Sequence, residues 1–180
     1  MGRSSGRLTQ RTMSKPLVAS LNQYGKGAYP QVRCVLLAEC GTHAVVGMHI
    51  SRYDESEVHG SHLLLCSVSR DMLVLVDGGI ISAGCIQAVR DRGGHVLASL
   101  PSGMWEKGYE RIKLCDGSEL VRRTPNKGSC YPLRQPIWVR IISYRITDER
   151  LGEVGKVYRL VTTLLNPRTA PARDAGGLVS

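Results

Sequence analysis

The eight residues Met72-Leu-Val-Leu-Val-Asp77-Gly-Gly79 constrain this chain more than any other stretch. The apolar run suits a short buried strand and is too brief for a buried helix. It stops at a carboxylate, so Asp77 is expected at the rim of a sheet, on backbone held by strand pairing. Ile80–Arg92 then reads as an amphipathic helix with Ile81, Cys85, Ala88, Val89 and Arg92 toward one face. Gly93-Gly94 stops it. A helix packed back onto a sheet implies an α/β fold. A carboxylate fixed at a strand end is suited to hold a divalent cation. Read locally, the same residue is a helix cap or the start of a turn.

The flanking segments supply the rest of the core. Gln31–Glu39 and His43–Ile50 read as a hairpin turned at Cys40-Gly-Thr42. Asp54–Cys66 reads as a helix, with Asp54 as N-cap and Glu57 completing a variant capping box. His95–Leu100 is a further strand before Pro101. Beyond it the character changes. Arg111–Cys115 and Glu119–Arg123 flank Asp116-Gly117, a strong hairpin signal. Pro136–Ile146 alternates, with Trp138, Arg140, Ile142 and Tyr144 on one side, and Val154–Leu165 is another strand. The expected organisation is an irregular basic N-terminus (1–29), a strand–helix core (30–100), a basic β-rich insertion (101–166) and a tail (167–180).

Charge sharpens the functional reading. The chain has 180 residues and a formal charge of +9. The first 33 residues carry six basic groups and no acid, residues 34–109 five basic and eight acidic, and residues 110–168 twelve basic and six acidic. A polyanion partner suits basic ends around an acidic middle, because Lys and Arg on phosphates release counterions. A solubilising surface is the plainer alternative. Arg122, Arg123, Lys127, Arg134, Arg140, Arg145 and Arg159 are the residues that could line a nucleic-acid groove. Trp138 and Tyr144 could stack on bases, although aromatics on alternating strands more often pack a core.

Other chemistries have weaker signals. None of the six cysteines (Cys34, Cys40, Cys66, Cys85, Cys115, Cys130) forms a C-x-x-C pair, and most lie in apolar runs. Buried free thiols in a reducing compartment are therefore expected. His43, His59 and His62 could ligate zinc only without the paired cysteines such sites use. Nucleophile-elbow, dinucleotide and phosphate-loop motifs are missing. Residues 1–16 lack the apolar region of a secretory signal, and no apolar stretch suits a membrane span. Phe is absent, so the core must rest on Leu, Ile and Val.

Five words occur in order: Tyr29-Pro-Gln-Val-Arg33, Leu37-Ala-Glu-Cys-Gly-Thr-His-Ala44, Met72–Gly79, Cys115-Asp-Gly-Ser-Glu-Leu120, and Val157-Tyr-Arg-Leu-Val-Thr-Thr-Leu-Leu-Asn-Pro167. Together they resemble the DDE-type transposases of bacterial insertion sequences, in the insertion-sequence-four group, over roughly residues 24–172. The resemblance implies a partial RNase H-like core with a β-rich insertion. It also implies a cytoplasmic bacterial protein, DNA as partner, Mg²⁺ or Mn²⁺ as cofactor, and cutting and rejoining of DNA. Asp77 corresponds to the second catalytic, metal-holding Asp. The family commonly continues from this Asp with Arg-Gly-Phe, where this chain has Gly78-Gly79-Ile80. The family's first Asp lies upstream of the Tyr29 word, yet this chain has no Asp before Asp54. The third carboxylate sits in a Tyr-x-x-Arg-Trp-x-x-Glu helix beyond the Asn166-Pro167 word, and no such helix follows. Glu39 matches no family role. A truncated, catalytically incomplete transposase is therefore expected. The alternative is a non-catalytic DNA-binding or dimerising inhibitor that associates with itself or with full-length transposase.

Overall fold

The computed structural model describes residues 19–22, 25–105, 110–125, 131–146, 150 and 154–172, with backbone only for 19–30. Among the described residues ten strands and two α-helices make a mixed α/β fold. Strands β1 (Ala19–Asn22) and β2 (Gly25–Pro30) form an antiparallel hairpin. A second hairpin joins β3 (Val32–Ala38) to β4 (Val45–Arg52). Helix α1 (Glu57–Leu64) packs against that hairpin and runs into a 3₁₀ turn at Leu65–Ser67. Then come β5 (Leu73–Val76), helix α2 (Ala83–Arg90) and β6 (His95–Ser99). The remaining strands are β7 (Arg111–Lys113), β8 (Glu119–Arg123), β9 (Ile137–Arg145) and β10 (Val157–Thr162).

One six-stranded sheet, ordered β5-β6-β10-β9-β8-β7, carries the core. Strands β5 and β6 are parallel, as α2 crossing between them requires. Every other pairing in this sheet is antiparallel. Strands from both sides of residue 101 therefore share one ladder. The core is aliphatic: Ile86, Val89, Val96, Val121, Val139 and Val161 are completely buried. Each such side chain contributes about 1.5–3 kcal/mol on leaving water.

Helix α2 is shorter than its apolar period. Ser82 Oγ accepts the Cys85 N–H at 3.0 Å and starts the helix only after the turn that follows β5. Gly93 (φ +78°) closes it, with the Gly94 N–H donating to the Val89 carbonyl at 3.1 Å. Ser56, not Asp54, sits at the N-terminus of α1, because Asp54 is engaged by Arg52 at 2.8 Å. The N-terminal stretch expected to be irregular contains the β1–β2 hairpin in its described part. Of the described cysteines only Cys85 is buried, its thiol pushed up to about 11 by that burial. Cys34, Cys40, Cys66 and Cys115 are exposed free thiols. Strand alternation turns Cys34 outward on β3, and Cys40 falls in the turn that follows.

The β3–β4 hairpin buries one face against α1 and leaves the other bare. Val32, Leu36, Val46, Met48 and Ile50 are each half-exposed or more, and Leu73 and Leu75 of β5 are also exposed. An apolar surface of this kind invites association. Replacing Met48 by Lys and Ile50 by Thr is expected to raise the concentration at which the protein stays monomeric. Neither side chain is in the core, so stability should change by no more than about 0.5 kcal/mol. Light scattering against concentration, beside a thermal melt, checks both.

Candidate active site at the carboxyl ends of β5 and β6

In-register parallel pairing of Val76 with Ala98 puts the next residues, Asp77 and Ser99, side by side at the carboxyl ends of β5 and β6. Ligands of open α/β sheets bind outside such ends. The Gly78 N–H donates to Asp77 Oδ1 at 2.7 Å and to Ser99 Oγ at 2.8 Å. Ser99 Oγ lies 3.5 Å from the same carboxylate oxygen. The side chain of Asp77 is thus aimed by the backbone beyond it, and it remains exposed. Position 78 needs glycine: a Cβ there would lie 2.8 Å from Ser99 Oγ and 2.9 Å from the Ser99 carbonyl. The Asp77 carbonyl accepts the Ile80 N–H at 3.0 Å and the Ile81 N–H at 3.2 Å, so Asp77 also opens a turn. It does not cap α2, a task that falls to Ser82.

A cavity of about 280 Å³ opens beside Asp77 and Ser99, and Tyr144, Lys156, Tyr158 and Arg159 also line it. Tyr144 stacks on Tyr158 with ring centres 5.6 Å apart. Burial, then the neighbouring Tyr158, raises the Tyr144 hydroxyl above its ordinary pKa. Lys156 Nζ stands 5.6 Å from the centre of the Tyr158 ring. Arg159 Nη2 donates to the Pro101 and Met104 carbonyls at 2.9 and 3.1 Å and so pins the loop that follows β6. Ser99, Lys156 and Tyr158 were not legible as site residues, since they become neighbours of Asp77 only through the pairing β5-β6-β10.

The donors do not fit a pair of divalent cations. Among the described residues Asp77 is the one acid lining this cavity. Among the described residues no three His, Cys, Asp or Glu side chains converge as a metal site. Clamping both the attacking and leaving oxygens takes two ions held by more than one carboxylate. The zinc reading of His43, His59 and His62 fares no better. His59 and His62 lie on α1 as spaced, but both rings meet Tyr131: His59 Nδ1 bonds its hydroxyl, and His62 stacks on it at 3.7 Å. His43 sits in the hairpin turn at φ 58°.

The candidate DNA-binding residues scatter. Arg122 is exposed and pairs with Glu110 at 3.1 Å. Arg134 is exposed and pairs with Asp91. Arg145 is exposed and donates to the Gly155 carbonyl at 3.2 Å. Arg122 stands opposite Trp138 of β9 and Arg145 ends that strand, so they are about 23 Å apart along it. Arg123 is buried, with its guanidinium 4.5 Å above the Trp105 ring. Arg140 is completely buried in the central strand β9. Its Nε donates to Ser118 Oγ at 2.7 Å, its Nη1 to the Ala170 carbonyl at 2.5 Å, and its Nη2 pairs with Asp116. These two arginines hold the sheet together and do not face a DNA groove. Lys127 lies outside the described residues. Compared with protein-family models and with curated proteins, the chain matches none.

No helix among the described residues is long and apolar enough to cross a membrane.

Proposed function

We propose that this chain is part of a DDE-type transposase of the insertion-sequence-four kind, built on an RNase H-like core. The single observation that carries the reading is Asp77, an exposed carboxylate at the end of β5 that lines a cavity together with Lys156. A hairpin and a helix precede it and a parallel strand pair contains it, a mixed α/β setting compatible with that reading. The basic surplus of residues 110–168 supports DNA as the partner. Lys156 suits a phosphate oxygen by charge. Asp77 is a group that would share Mg²⁺ or Mn²⁺ only with further acids beyond those described, so the described residues are catalytically incomplete by themselves. That shortage favours the second reading, a DNA-binding or dimerising inhibitor that occupies DNA without cutting it.

Binding to duplex DNA is expected to weaken steeply with salt. Arg122→Ala and Arg145→Ala should each lower the slope of log affinity against log salt by about 1. Fluorescence anisotropy over a salt series measures this. No cleavage is expected with Mg²⁺ or Mn²⁺. Cutting that vanishes in Asp77→Ala would show a complete centre and overturn the incompleteness. Lack of binding even at low salt would remove DNA as the partner.

A further inference from the structure

Two sheet edges face each other across a groove that is separate from the cavity at Ser99 and Lys156, although Asp77 stands at the rim of both. Among the described residues, strand β5 ends the six-stranded sheet and pairs only with β6. Among the same residues strand β3 pairs only with β4. Between them runs an apolar groove made of two adjoining cavities of about 250 and 100 Å³, with Leu37, Val74 and Leu75 lining both. The first cavity takes in Leu37–Glu39 with Met72–Leu75, the second Val35–Leu37 with Val74–Asp77. Strand β3 therefore runs antiparallel to β5 across the gap. Both edges present backbone N–H and C=O groups that an adjoining strand would pair.

We propose that this groove receives one extended peptide segment, apolar at its centre and carrying Lys or Arg at both ends, running parallel to β5 and antiparallel to β3. Backbone chemistry selects an extended chain, because one segment with two free sides completes both ladders at once. A second folded copy would offer one edge and complete only one. Helix α1 and the 3₁₀ turn floor the groove with Leu64 and Leu65, and Leu36, Leu73 and Leu75 continue the apolar surface above it. A segment buried on both faces reads as an unbroken apolar run. Charge selects the ends. Glu39 closes the groove at one end and Asp77 at the other. The Glu39 carboxylate is held ionised, below its ordinary pKa, by the Thr42 hydroxyl and the N–H groups of Gly41 and Thr42. Asp77 lines that end of the groove and is exposed, with Oδ1 accepting the Gly78 N–H. The inference does not rest on the transposase reading, and it holds or fails whether or not the protein touches DNA.

The test uses the full chain and a synthetic peptide, Lys-Val-Leu-Ile-Val-Leu-Arg, with capped ends. At a hundredfold excess over its dissociation constant the peptide is expected to raise Tm by about 5–10 °C. Amide exchange should slow at least tenfold at Leu36–Ala38 and at Val74–Val76 together. A peptide with proline at its centre should do neither, and one with glutamate at both ends should bind about tenfold more weakly. Leu75→Asp, whose side chain is exposed, should fold normally and lose the effect. Protection of one edge alone, an equal response to the proline peptide, unchanged binding by a folded Leu75→Asp, or no shift at all would each overturn the proposal.

Discussion

Arg140→Met is expected to destabilise the fold by about 3–5 kcal/mol, a large share of the total for a domain of this size. The guanidinium is completely buried, yet it gathers Ser118, the Ala170 carbonyl and Asp116 around it. Removing it leaves those acceptors without their charged donor. Methionine fills the volume and supplies no hydrogen, so the loss reports on the network and not on a cavity. A urea titration should show a lower midpoint with an unchanged slope. The pH response discriminates further. Burial works against the charge of Asp116, but the Ser118 hydroxyl, the Ser118 N–H and Arg140 outweigh it and hold the carboxyl below its ordinary pKa. A depressed carboxyl contributes stability that is present above its unfolded pKa and is lost as pH falls through the folded one. Arg140→Met should therefore flatten the acid limb of the stability curve. If Arg140 instead contacted DNA, the variant would keep its midpoint and lose only affinity.

Gly84→Val should cost about 1–3 kcal/mol, and its consequence should be felt at a distance. A Cβ at position 84 would lie 2.6 Å from Tyr131 Cβ and nearer still to the Tyr131 carbonyl. Backbone cannot step aside as a side chain does. Tyr131 also meets His59 and His62 of α1, so it holds the first turn of α2 and α1 together. Burial, then Arg92 and His59, keeps the His62 ring below its ordinary pKa. Displacing Tyr131 should expose that ring and return its titration toward the usual value. NMR titration of the His62 ring, beside a thermal melt, checks the two effects separately.

Several elements were legible because the information for them is local. Met72–Val76 is apolar and short, so it becomes β5 with only its first residue trimmed. Asp116-Gly117 gives a turn because Gly117 takes φ +82° and Asp116 Oδ1 accepts the Ser118 N–H at 3.2 Å. Alternation in Pro136–Ile146 identified β9 but not its surroundings. A strand in the middle of a sheet with both faces covered buries both sets of side chains, so Arg140 is interior despite its charge. An arginine count cannot separate a guanidinium that neutralises phosphate from one that neutralises Asp116.

What the sequence by itself determined is an aliphatic strand ending in Asp77, the helix behind it and the hairpins on either side, because short-range periodicity and turn chemistry suffice for those. Tertiary structure alone decided that Ser99 and Lys156 share a cavity with Asp77, that Arg123 and Arg140 turn inward, and that β3 and β5 face each other across a groove. Those outcomes depend on which strands become neighbours, and strand pairing is a long-range choice that no single segment encodes.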